Sequence, residues 1–105
     1  MAAAADGRRA SRARPTDALE ITALAAVIER WIRASNLAGL TACSRAEVDA
    51  HCRARARDFL DLYRGDFADA MQHVLRLGRR ATREEAGAAL RAERAWLRSR
   101  TERAA

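Results

Sequence analysis

Residues 44–65 read SRAEVDAHCRARARDFLDLYRG, and this stretch decides the fold class. Ser44 followed three residues later by Glu47 spells a capping box, in which hydroxyl and carboxylate each satisfy an amide at the start of a helix. Val48, Cys52, Ala56, Phe59 and Tyr63 then recur at intervals of four, four, three and four, which keeps them on one stripe of an α-helix. Gly65 supplies the conformational freedom that closes a helix C-terminus. The spacing predicts a helix over 45–64 that is apolar on one side and charged on the other.

Upstream, Asp17 and Glu20 form a capping pair for a helix over 17–34, whose apolar face carries Ile21, Leu24, Ile28, Trp31 and Ile32. Downstream, Asp66 caps a short helix over 67–77 bearing Phe67, Met71, Val74 and Leu75, and Gly78 is expected to stop it. Thr82 and Glu85 give a third cap, opening a helix over 83–102 through Ala86, Leu90 and Leu97. A helix-turn-helix within 82–98 is disfavoured because Arg91, Ala92 and Glu93 are strong helix formers with no Gly or Ser between them, so this helix reads as continuous. Gly87 inside it points to a close helix approach or a soft first turn. No segment alternates in the manner of a strand. The fold class is all-α: a compact bundle of about four helices over 16–105, with a disordered basic arm over 1–15.

All 20 basic side chains are arginine and none is lysine, set among 27 alanines, and 14 acids leave a formal charge of +6. A guanidinium keeps its charge and offers a planar fork to phosphates and carboxylates, so phosphate-rich partners come first. A GC-rich coding sequence produces the same Ala and Arg excess without selection for binding. Large apolar residues are few, which predicts a thin core that a partner subunit or a second copy would complete.

The arginines fall in stripes. Arg53, Arg57 and Arg64 share one side of the second helix, with Glu47, Asp58 and Asp61 on the adjoining flank. Arg91, Arg94 and Arg98, with Arg83 a turn before, line the last helix, and Arg76, Arg79 and Arg80 sit at the corner between. If the second and last helices face the same way, these make one basic surface for nucleic-acid backbone, gripping phosphates by bidentate contacts with low sequence specificity. The plain alternative is a solvated face with local ion pairs such as Arg57–Asp61 and Arg98–Glu102. Trp96, at the edge of the last helix's apolar face, is the candidate anchor for a partner.

Other chemistries find little support. Cys43, His51, Cys52 and His73 match no zinc spacing, so no metal and no cofactor is expected; Cys52 reads as core, and His51 and His73 as surface or edge residues. No glycine-rich phosphate loop and no assembled nucleophile and base are present, so the chain reads as non-catalytic. No apolar run is long enough for a membrane span, the first ten residues lack a secretory apolar region, and two cysteines make no disulfide framework. The expected compartment is the cytoplasm, with organelle import of the Arg- and Ala-rich start as the lesser alternative.

Leu62-Tyr63-Arg64, with Phe67 after it, resembles the tripeptide of the LYR-motif proteins, basic helical subunits and assembly factors of mitochondrial complexes that partner an acyl carrier protein. In that family the tripeptide opens the first helix, whereas here some sixty residues precede it and Gly65 follows at once. Apart from the resemblance, Leu62 and Tyr63 read as core.

The leading expectation is a non-catalytic subunit that binds nucleic-acid phosphates within a larger nucleoprotein complex. In kind it resembles the small helical subunits of RNA-guided effector complexes or basic ribosome-associated proteins. The other is a protein-binding adaptor or inhibitor docking its helical faces and arginines on an acidic or apolar partner.

Overall fold

The computed structural model describes residues 15–79 and 83–104. Over these the chain is all-α: α1 (Pro15–Ala34), α2 (Arg45–Leu62), α3 (Phe67–Arg79), α4 (Arg83–Ala89) and α5 (Arg91–Ala104), with a 3-10 turn at Leu40–Ala42 between α1 and α2. The arm over 1–14, Arg80 and the cap residue Thr82 lie outside the described residues.

The cap of α2 forms as read. Glu47 N donates to Ser44 Oγ at 3.1 Å and Ser44 N to Glu47 Oε1 at 2.8 Å, which satisfies two of the amides a helix start leaves open. Asp66 likewise takes Asp69 N on Oδ1 at 3.0 Å to open α3. Other boundaries shift. α1 begins at Pro15, whose fixed φ and missing N–H suit a first helical position, and Asp17 falls inside the helix instead of capping it. α2 stops at Leu62, with Arg64 (φ 55) and Gly65 (φ 87) both left-handed and Gly65 N returning to Leu60 O at 2.7 Å. α3 runs through Gly78 to Arg79.

One core joins the elements. Leu24, Ile28, Trp31 and Ile32 of α1 pack on Val48, Cys52, Ala56 and Phe59 of α2, and Ala70 and Val74 of α3 close the layer. Arg53 Nη1 donates to Thr22 Oγ1 at 3.2 Å, which sets the middle of α2 beside the first half of α1, as two antiparallel helices joined by a short linker require. Leu62 was expected in the core but is 63 % exposed, because the helix ends there and the left-handed turn carries the chain away.

The continuous fourth helix is not formed. It breaks at Leu90, which is buried while α5 restarts with Arg94 N on Leu90 O at 2.9 Å. Gly87 weakens the helix just before the break, and Arg94 Nη1 caps the Gly87 carbonyl at 3.2 Å. Residues 91–93 are helical, as their preference requires, but as the first turn of a new helix: the turn at Leu90 lets Leu90, Glu93 and Leu97 all point inward.

Candidate nucleic-acid interface and the buried Glu93 cluster

α2 is the central helix. Taking about 100° per residue, its core seam has α1 beyond one edge and α5 beyond the other. On the α5 edge stand Glu47, His51, Arg55 and Asp58; on the α1 edge stand Asp49, Arg53 and Arg57. Among the described residues, the polar contacts that join α5 to α2 use the first of these edges.

At its middle is a carboxylate that sequence reading passed over. Glu93 is 0 % exposed. Its Oε2 accepts from His51 Nε2 at 3.2 Å and from Arg55 Nε at 2.5 Å, while Oε1 is buried with no hydrogen-bond partner among the described residues. Burial opposes ionisation of Glu93, but the hydrogen bond from His51 and the charge of Arg55 outweigh it and hold the carboxyl below its ordinary range. His51, expected at the surface or an edge, has a side chain only 8 % exposed and lies flat against Trp96, with ring centroids 4.1 Å apart and 8° between planes. Arg55 in turn covers the Phe59 ring at 4.8 Å and reaches Asp58. Thus Trp96, the expected partner anchor, has one face committed inside the fold. The signal for Glu93 was present, since it lies at i+3 from Leu90 and i−4 from Leu97 on the apolar face.

A second latch lies toward the end of α5. Arg100 grips Glu47 with Nε and Nη2 and also donates from Nη2 to Ala42 O at 3.2 Å. That bidentate hydrogen bonding, with the Ser44 amide, draws the Glu47 carboxyl down to about 2.

The predicted arginine surface separates into parts. Arg53 pairs with Asp49 at 3.0 Å and bonds Thr22, so it braces α2 on α1. With Arg57 beside it, its stripe lies on the edge of α2 away from α5, and the two stripes do not merge. On α5, Arg91, Arg94 and Arg98 are exposed on the side opposite Glu93, Trp96 and Leu97. Arg94 is tied to Gly87 O; Arg94 and Arg98 border a groove against Leu37 and Ala38. Arg76 and Arg79 are exposed at the end of α3. Arg64 is exposed in the left-handed turn; the Arg83 side chain, like Arg80, lies outside the described residues. Among the described residues, neither Arg57–Asp61 nor Arg98–Glu102 closes to an ion pair, and Arg57, Arg64, Arg76, Arg79, Arg91 and Arg98 meet no carboxylate within 4.0 Å.

His73 links two of these groups. It borders one cleft with Arg55 and Arg91 and another with Arg76 and Arg79, where Asp69 is the acid. Tyr63 OH meets its Nδ1 at 2.6 Å and Phe59 packs on the ring at 5.3 Å. Burial first and the nearby Arg76 charge second lower its pKa, which favours the neutral ring. The Leu62-Tyr63-Arg64 tripeptide therefore closes a helix, with Tyr63 alone packed on the core. Cys52 is sealed in the core with its thiol pushed up to about 12, by burial first and the nearby carboxylates second, which leaves it no nucleophile. Among the described residues no group of three His, Cys, Asp or Glu is placed to hold a metal ion, and no helix is long and apolar enough to cross a membrane. In comparisons with known families, curated proteins and solved structures, nothing was found to match this chain.

Proposed function

We propose that this protein is a non-catalytic subunit that binds the nucleic-acid backbone through Arg76, Arg79, Arg91 and Arg98, within a larger nucleoprotein complex in the cytoplasm. One observation carries the reading. The cations split into two populations: Arg33, Arg53, Arg55 and Arg100 are spent on carboxylates, whereas these four are exposed and meet none among the described residues. Unpaired guanidinium groups on a chain of net charge +6 favour a polyanion, and three of the four lie around His73. Arg57 and Arg64 extend the charge on the other edge of α2, while Arg53 and Arg94 have structural duties. Free thiols at Cys43 and Cys52 accord with a reducing compartment.

Backbone contacts release counterions, so four of them make affinity fall roughly a hundredfold between about 50 and 200 mM salt. The test is a salt series with unrelated single- and double-stranded DNA and RNA, comparing the wild type with an Arg76→Ala, Arg79→Ala, Arg91→Ala, Arg98→Ala variant. The variant is expected to lose most binding and most of the salt slope. No binding by the wild type at low salt, or a variant that binds as well, overturns the assignment.

A further inference from the structure

The C-terminal halves of α1 and α3 leave an open groove between them, floored by Val27, Trp31, Leu75 and Leu77. Trp31 is 7 % exposed, and a Cβ placed on Gly78 would sit 4.0 Å from its Cδ1. Glycine at 78 thus leaves the indole edge facing the groove. Arg30 on α1 and Arg79 on α3 border the groove, exposed, and meet no carboxylate within 4.0 Å among the described residues. An apolar floor between two unpaired guanidinium groups specifies its ligand by complementarity: apolar anchors below, carboxylates at the sides.

We propose that the groove receives an acidic amphipathic helix of a partner protein, seating apolar side chains at i, i+4 and i+7 on Trp31, Val27 and Leu75 and pairing flanking carboxylates with Arg30 and Arg79. The other occupants fit less well. Residues 1–14 carry four arginines, one acid and no large apolar residue beyond Met1, so they would set cations against cations. A second copy laid groove to groove would oppose the same four guanidinium groups across a two-fold axis. Nucleic acid would satisfy Arg30 and Arg79 but leave the apolar floor uncovered. Trp and Arg are also the residues that most often dominate binding at interfaces.

The probe is a set of helical peptides sharing leucines at i, i+4 and i+7, with glutamate, glutamine or lysine on the flanks. Binding is read by the emission of Trp31 in a Trp96→Phe background. The glutamate peptide is expected to bind and the lysine peptide not. Arg30→Glu with Arg79→Glu should weaken the glutamate peptide by about tenfold or more and admit the lysine peptide, as an exchange of charge partners requires. Gly78→Leu, at a helical position without backbone strain, should fill the groove and abolish binding of both, with an unchanged circular dichroism spectrum as the fold control. Equal binding of the three peptides, binding of none, or no exchange of preference on charge reversal overturns the proposal. So does full displacement of the peptide by single-stranded DNA in an Arg76→Ala, Arg91→Ala, Arg98→Ala background, where the rest of the phosphate surface is gone, which would assign the groove to phosphate instead. Because Arg30 and Gly78 belong to this groove alone and Arg91 and Arg98 to the phosphate surface alone, either surface can fail without the other.

Discussion

Glu93 is the residue on which the attachment of α5 turns. A carboxylate with no exposure is stable only while a cation and a hydrogen-bond donor face it, and here Arg55 and His51 do so from one edge of α2. Removing one partner of a buried pair is costly because the other charge stays buried. Glu93→Leu is expected to destabilise the protein by about 3 kcal/mol, the lower end of the range since Arg55 retains 17 % exposure. Glu93→Leu combined with Arg55→Met should recover most of that loss, because two apolar side chains on the same face need no partner. Urea unfolding of the two singles and the double checks this, and a double variant no more stable than Glu93→Leu would contradict it. His73 governs a separate pH window. Its folded-state pKa lies below the ordinary 6.5, so the unfolded chain binds the proton first and the stability it contributes is full above 6.5 and lost as pH falls through its lowered value. Glu47, drawn from 4.5 to about 2, acts only in a lower window. Between pH 7 and 5.5 the wild type is expected to lose stability, whereas His73→Asn, whose amide can still hydrogen-bond Tyr63, should lose less over the same window. Parallel slopes in the two proteins would assign that window to another group.

Among the elements, α2 shows how a cap reaches beyond its own helix. The Ser44 hydroxyl satisfies Glu47 N and so holds the first turn in the position where the Ser44 backbone amide can bond the Glu47 carboxylate, and that same carboxylate is the seat of Arg100 on α5. Ser44→Ala is therefore expected to cost about 1 kcal/mol through the lost cap, and also to raise amide exchange over 91–104. Raised exchange confined to the start of α2 would show the two effects to be separate. Such elements differ in how far the sequence reveals them. The seam Val48, Cys52, Ala56 and Phe59, the Ser44–Glu47 box and the Asp66 cap were legible because each is a local rule of spacing. The break at Leu90 was not, since a helix start at Arg91 and a helix running through it look alike in local preference, and only the burial of Leu90 together with Glu93 separates them. The arginine surface was half legible for a related reason. Periodicity put Arg91, Arg94 and Arg98 on one exposed stripe, but which edge of α2 meets α5 depends on the Glu47, His51 and Arg55 contacts, and these leave Arg53 and Arg57 on the other edge. Glu93 lies on the apolar face by spacing, but its burial was not legible, since a helical glutamate is ordinarily solvent-facing and only Arg55 and His51, brought to it by tertiary packing, make its burial possible.

At the scale of the molecule, the helices are joined by different kinds of contact, which implies that they do not open together. α1, α2 and α3 share the apolar layer around Leu24, Ile28, Cys52 and Val74, all under 2 % exposed. α5 adds Leu97 to that core, and otherwise rests on the Glu93 cluster, the His51–Trp96 stack and the Arg100–Glu47 fork. Polar attachments of this kind are worth less per residue than core burial and respond to pH and salt, so α5 should open sub-globally below the free energy of complete unfolding. Cys52 supplies a clean reporter of the apolar layer. Its buried thiol should resist alkylation until that layer opens, with half-buried Cys43 as the faster internal reference. Arg100→Ala removes the fork without touching the layer. It is expected to raise amide exchange over 91–104 by about five- to tenfold, while the Cys52 labelling rate stays at its wild-type value. If Cys52 labelling rises in step with exchange in α5, the four-helix assembly opens as one unit and the separate behaviour of α5 is wrong. If only α5 responds, the helix bearing Arg91 and Arg98 can leave its seat while the groove between α1 and α3 stays intact, and peptide binding in the groove should then be unaffected by Arg100→Ala.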